Sequence, residues 1–270
     1  MKNTRFVLAL GILIFSTNSF AETNATLDKL KAKLLSLEGR SPISAIYERQ
    51  FTDVEDADDD KKRRETTGSI SVKVQVNDRG LHINYPQDII ETMEEEAKAK
   101  ALDEESKTPT LNAVYDVNAV NLDYQLSAAK RILRRIEKAS FIEEETATHE
   151  GKQVSILRFN LPLEAIITDA KTRRYVSKFE GVYSVTVDEN AIPLKVETDF
   201  FGKGRAFLVL SVKVKNIETS TFTVVADRLV RLQNEYSNEI QSSFGDNQSS
   251  GVNSITIVSQ SDYEAEQQIN

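Results

Sequence analysis

The chain has 270 residues, of which 40% are hydrophobic; 34 Lys or Arg stand against 42 Asp or Glu for a formal charge of −8, and there is no cysteine. That balance excludes wholesale nucleic-acid binding, which needs a basic surface to neutralise phosphates. The missing thiols exclude disulfides, thiolate metal sites, a cysteine nucleophile and a lipid-bearing cysteine anchor.

The N-terminus reads as a secretory signal peptide over residues 1–21. Lys2 and Arg5 form a positive n-region, Phe6 to Phe15 an apolar h-region, and Ser19-Phe20-Ala21 a small-x-small cleavage site. The apolar run is too short to span a hydrocarbon core of ~30 Å, and no second run of that length follows. Cleavage after Ala21 removes two basic residues and no acid, moving the charge from −8 to −10. The mature chain, 22–270, is expected in the periplasm as a single domain with no transmembrane segment.

Leu27, Leu30, Leu34 and Leu37 recur at helical spacing and predict an amphipathic helix between Asn24 and Glu38. Ala45, Tyr47 and Phe51 then alternate with Ile46, Glu48 and Gln50 as a first strand. The run Asp53 to Glu65, DVEDADDDKKRRE, lies where a hairpin connection belongs. Its Asp56, Asp58 and Asp60 match the first three ligand positions of a calcium-binding EF-hand loop. That loop next needs Gly, and Glu at its twelfth position, where this chain has Lys61 and Thr67, so the run reads as a solvated hairpin tip. Ile70, Val72, Val74 and Val76 alternate with polar residues up to the turn Asn77-Asp78-Arg79-Gly80, and Leu81, Ile83 and Tyr85 continue on the far side. Period two with one polar face indicates an antiparallel sheet wetted on one side.

Asp88 to Ser106 reads as a helix with a thin apolar stripe, Ile89, Ile90, Met93, Ala97 and Ala101, hence loosely held; Pro109 closes the segment. A second helix is predicted from Asp123 to Ala139. Leu126, Ala129, Ile132, Leu133 and Ile136 share one face, with Lys130, Arg131, Arg134, Arg135 and Lys138 on the opposite one. This concentrated basic surface suits anionic lipid headgroups or an acidic partner, or else a solvated face near Glu143 to Glu145. The remainder reads as strands: Val154 to Leu161, Tyr175 to Val187, Leu194 to Phe200, Arg205 to Val214, Thr221 to Ala226, Leu229 to Ile240 and Ile255 to Ser259. Phe201-Gly202-Lys203-Gly204 is expected as a hairpin turn, and SSFGDNQSSG as a polar loop.

Signatures of chemistry are absent. His82 and His149 lack metal-ligand spacing, Gly202-Lys203-Gly204 lacks the other P-loop positions, and there is no nucleophile elbow or dinucleotide fingerprint. Glu197 and Asp199 share a strand face, as chance allows among 42 acids. The expectation is a non-enzymatic protein without cofactor or metal.

The leucine helix Leu27 to Leu37, the strand Ala45-Ile46-Tyr47-Glu48-Arg49-Gln50-Phe51 and the stretch Gly68-Ser69-Ile70-Ser71-Val72-Lys73 resemble the superfamily of periplasmic lipoprotein carriers and receptors. The likeness covers most of the mature chain by element order but few residues. It implies an α+β fold: a strongly curved antiparallel sheet, an unclosed half-barrel, with an N-terminal helix and two mid-chain helices over its concave face. It also implies a cavity for acyl chains, and hence a lipid or an acylated protein as partner. The carriers follow the Val-Lys of this strand with an Arg-Pro pair that latches the lid; here Val74-Gln75 stands there, marking a divergent relative. The expected lining is Ile70, Val72, Val74, Leu81, Ile83, Leu194, Val196, Leu208, Leu210 and Val212, with Ile89, Ile90 and Met93 as a movable cover. The alternative is an envelope interaction or regulatory protein whose same face is filled by Leu126, Ile132, Leu133 and Ile136.

Overall fold

Leucine spacing yields the first helix, α1 (Ala25–Ser36), where the Asn24 side chain accepts the Leu27 N–H at 2.8 Å and caps the first turn. The computed structural model describes residues 24–206 and 210–258, so the predicted signal peptide lies outside the described residues. Strands β1 (Ile43–Glu55), β2 (Arg64–Asn77) and β3 (Gly80–Asn84) form a meander, and the charged run is the tip of its first hairpin. Four helices follow: α2 (Gln87–Leu102), α3 (Pro109–Tyr115), α4 (Ala119–Leu126) and α5 (Ala129–Lys138). Next come β4 (Ser140–His149), β5 (Lys152–Asn160), the single turns α6 (Leu163–Ile166) and α7 (Ala170–Arg173), and β6 (Val176–Val187). The chain continues through β7 (Pro193–Ala206), β8 (Leu210–Val225), β9 (Arg228–Ser242) and β10 (Gly245–Val258).

All strands belong to one antiparallel sheet of order β3-β2-β1-β10-β9-β8-β7-β6-β5-β4. The two meanders join where β1 pairs with β10, from Ser44 opposite Val258 to Val54 opposite Gln248. Strands β3 and β4 are left as free edges, so the α+β fold is an unclosed sheet, as expected.

The helices cover one face of this sheet and divide its core in two. Helices α1 and α5 pack Leu30, Leu34, Ile132 and Ile136 over Leu157, Phe159, Tyr183 and Val185. Helices α3 and α4 pack Ala113, Leu122 and Leu126 over Ala45, Tyr47, Val72 and Val74. The approach of α3 requires Gly68, because a Cβ there would collide with the Phe51 ring and stand 2.6 Å from the Pro109 carbonyl oxygen.

Several expectations are corrected. Pro109 begins α3, at a position where the missing N–H costs nothing; the Glu96 carboxylate of α2 accepts the next two N–H groups, Thr110 and Leu111, each at 2.9 Å. The helix predicted over 123–139 breaks in two because the Ala128 N–H donates to Leu229 of β9 at 2.8 Å. Gly202 and Gly204 lie inside β7, paired on both sides, and residues 207–209, between β7 and β8, lie outside the described residues. The polar stretch from Ser242 is a tight turn followed directly by β10. Acidic β4 is an edge strand, exposed along nearly its whole length, whose Glu143 and Glu145 pair with Arg158 of β5.

Candidate functional site

The residues expected to line one apolar cavity are distributed over four environments. Ile70, Val72 and Val74 point inward from β2 and are 3%, 1% and 0% exposed, because Ala113, Val117, Leu122 and Leu126 already occupy the space above them. Leu81, Ile83 and Ile89 are partly buried at the margin of that cluster; on α2, Met93 is half-buried and Ile90 is exposed. Val196 is buried in the other cluster, and Leu194 lines a separate cavity with Val154, Phe222 and Leu232. Val212 is 40% exposed, near the start of β8 where it pairs with Ser242 at the end of β9. Leu208 lies outside the described residues, and of Leu210 only the backbone, paired with Ala206, is described.

Beside the two apolar clusters a polar seam crosses the middle strands. In register, Arg49 of β1 faces Asn253 of β10, which faces Asn234 of β9, which faces Ser220 of β8. Above this row lies the Arg231 guanidinium. Its Nε donates to Gln125 Oε1 at 2.8 Å, and its Nη1 reaches Asn234 Oδ1 at 2.9 Å, Glu218 Oε1 at 3.0 Å and Ser220 Oγ at 3.4 Å. Burial holds its pKa below the ordinary guanidinium value, though a guanidinium in a protein stays protonated. Tyr124 of α4 is sandwiched between Arg231, 4.1 Å from the ring centroid, and Arg131, 3.9 Å away on α5.

Arg49 anchors the other end of the seam. Its Nη2 pairs with Asp116 at 2.6 Å and its Nη1 donates to Asn253 Oδ1 at 3.4 Å. Its Nε is buried and, among the described residues, has no hydrogen-bond partner. The same Asn253 oxygen accepts from the Tyr47 hydroxyl at 3.2 Å, and burial, opposed by the nearby Arg49 charge, pushes the Tyr47 phenol up to about 12. Between these groups is a cavity of about 370 Å³, reaching from Arg49 and Asp116 to Arg131 and Arg231.

A second cavity, about 380 Å³, adjoins the first and shares Arg131 and Glu218 with it. Its walls are Arg134, Arg135 and Lys138 of α5, with Ala165, Ile166 and Phe200 as apolar surface. The predicted basic face is therefore turned partly inward. Arg135 lies 5.4 Å from the Tyr183 ring centroid and donates to Thr198 Oγ1 at 3.2 Å, whereas Arg134 and Lys138 form the exposed rim. Lys130 is exposed and is not part of this wall. Among the described residues none of the four wall cations has a carboxylate partner, since Glu218 is held by Arg231.

The acidic hairpin tip reaches the turn between β9 and β10. Asp58 hydrogen-bonds to Asp246, which raises the Asp58 pKa, and among the described residues no group of three or more potential ligands is suitably placed. Arg49, Tyr124, Arg231 and Tyr236 were not predicted. A signal for one was available: Arg231 interrupts the apolar run Leu229-Val230-Arg231-Leu232 in mid-strand. Among the described residues no helix is long and apolar enough to cross a membrane. No family model, curated protein or solved structure matches the chain.

Proposed function

We propose that this is a non-enzymatic periplasmic binding protein that engages an anionic amphiphile, such as an acidic lipid or an acylated molecule with an acidic head, at the cationic ledge beside α5. The observation that carries this reading is the wall of four cations without carboxylate partners, Arg131, Arg134, Arg135 and Lys138, set against the apolar surface of Phe200, Ile166 and Ala165. Cations and apolar side chains in one cavity match a negatively charged head and its first methylenes, each of which contributes ~0.8 kcal/mol when buried. The ligand lies outside the two apolar clusters. Acyl chains over Ile70, Val72 and Val74 would require α3 and α4 to leave, because Leu122 and Leu126 fill that space.

The test is co-flotation of the mature protein with vesicles of phosphatidylglycerol or of phosphatidylcholine. Basic side chains near an anionic membrane contribute about 1 kcal/mol each. Arg134→Ser with Lys138→Ser should therefore weaken binding to the acidic vesicles by roughly thirtyfold. Equal binding to both lipids, or no loss in the double variant, would remove the ledge from consideration.

A further inference from the structure

The inner cavity carries an inference that does not depend on lipid binding at the ledge. We propose that it is a binding site for an oxyanion of the phosphate or carboxylate type, held by the Arg49 and Arg131 guanidinium groups and the Tyr236 hydroxyl. Hydrogen-bond donors and acceptors around the cavity do not balance. Six charged groups line the cavity: Arg49, Arg131 and Arg231, and Asp53, Asp116 and Glu218. Their formal charges cancel, but their bonds do not. Asp116 is engaged by Arg49, and Glu218 by Arg231. Arg231 itself is spread over four acceptors.

What is left over is mainly donors. Arg49 is 8% exposed and its Nε has no acceptor, a cost of about 1–3 kcal/mol for a buried group and more for a charged one. The Arg131 guanidinium lies on the Tyr124 ring and, among the described residues, has no ion-pair partner. The Tyr236 hydroxyl has no hydrogen-bond partner in the described structure; it lies over Gly251, where a Cβ would stand 2.7 Å from it, so the bare glycine is what lets the phenol lie there. Asp53 is the single unengaged acid on the wall. An acceptor-only guest with several oxygens satisfies this arrangement, and a guanidinium presents donors in the fork geometry that oxyanions match. The volume, about 370 Å³, exceeds one water many times over, and the Asp116 carboxylate, 41% exposed, marks the way in.

The experiment is a thermal-unfolding titration of the mature protein with inorganic phosphate, acetate, and dihexanoyl phosphatidic acid below its micellar concentration. Ionic strength is held constant with sodium chloride throughout. At a hundredfold excess over Kd, the midpoint should rise by roughly 5–10 °C for a chain of this size. A response to phosphate or acetate identifies a free oxyanion as sufficient; a response to phosphatidic acid alone identifies the same chemistry as a lipid head. Arg131→Gln, an exposed position, and Tyr236→Phe should weaken the response by about tenfold and threefold, respectively. Arg49→Gln should abolish it, and the first two variants carry the test if that one does not fold. Arg134→Ser with Lys138→Ser, which disables only the ledge, should leave it intact. The proposal is overturned if none of the three compounds shifts the midpoint, or if the shift survives undiminished in Arg131→Gln and Tyr236→Phe.

Discussion

Whether the helices fill the sheet or merely roof a cavity is decided by truncating one leucine and one isoleucine. Leu126 of α4 is 1% exposed in one cluster and Ile132 of α5 is 0% exposed in the other. Replacing either by Ala deletes three carbons, worth ~2.4 kcal/mol in transfer free energy at ~0.8 kcal/mol each. The unfilled space left behind brings the cost to as much as about 5 kcal/mol. In a chain of this length that lowers the unfolding midpoint by roughly 5–20 °C. Ile90→Ala on α2, at a position 39% exposed, should stay within about 0.5 kcal/mol. Urea unfolding of the three variants, with midpoints compared at constant slope, makes the measurement. A loss below about 1 kcal/mol for both Leu126→Ala and Ile132→Ala would mean that these side chains border empty space, and the filled-core description would have to be abandoned.

Three further outcomes are expected. Arg231→Ala leaves Glu218, Gln125 and Asn234 facing an unfilled site and should destabilise by about 3–5 kcal/mol, read from the same urea midpoints. Glu96→Ala removes the carboxylate that receives the Thr110 and Leu111 N–H groups; since α2 buries no residue, limited proteolysis should then cut within 87–102 well before the protein unfolds. Hydrogen bonds led by that from Ser41, with the Arg40 N–H also contributing, hold Asp227 below the ordinary carboxylate value. Its contribution is therefore present above the unfolded value of ~3.9 and lost as pH falls through the depressed folded one. Asp227→Asn should lower stability at neutral pH, and the gap to wild type should narrow as the pH approaches 2.

The fold was legible wherever one face of an element is dry. Leu27 to Leu37 and the alternation from Ile70 to Val76 show their period because α5 and α3–α4, respectively, cover one side of each. Legibility failed where both faces are wet. Strand β10 runs through Asn247, Gln248 and Ser249 beyond the helices, and β4 carries Glu143 to Glu145 on an open edge; neither writes an apolar period into its sequence. The break at Ala128 was hidden because a backbone hydrogen bond to β9 makes it, with no glycine or proline to mark it. The candidate site was legible only as a set of cations on one helix. That Arg131 lies on Tyr124, and that Arg49 and Arg231 converge on the same cavity from strands 182 positions apart, follows from sheet register, which no local pattern encodes.

The polar seam is the costliest feature of the molecule, and its cost is an argument for use. Burying Arg49 and Arg231 among Asn253, Asn234 and Ser220 takes charges out of water, and well-packed apolar residues at such positions commonly match or exceed the stability of the ion pairs they replace. Stability alone thus gives no reason to keep it, whereas a site that needs fixed donors does. The double variant Arg231→Met with Glu218→Leu separates the two explanations. It removes the buried ion pair as a unit and leaves only the neutral Gln125 and Asn234 short of a donor, so its urea midpoint should fall clearly less than that of Arg231→Ala alone. It also removes the guanidinium that stacks on Tyr124 opposite Arg131 and so supports that wall of the inner cavity. The phosphate-induced shift of the unfolding midpoint should fall at least tenfold in sensitivity in the same protein. A double variant that is as unstable as Arg231→Ala and fully responsive would make the seam a structural brace, and the inner cavity would lose its assignment.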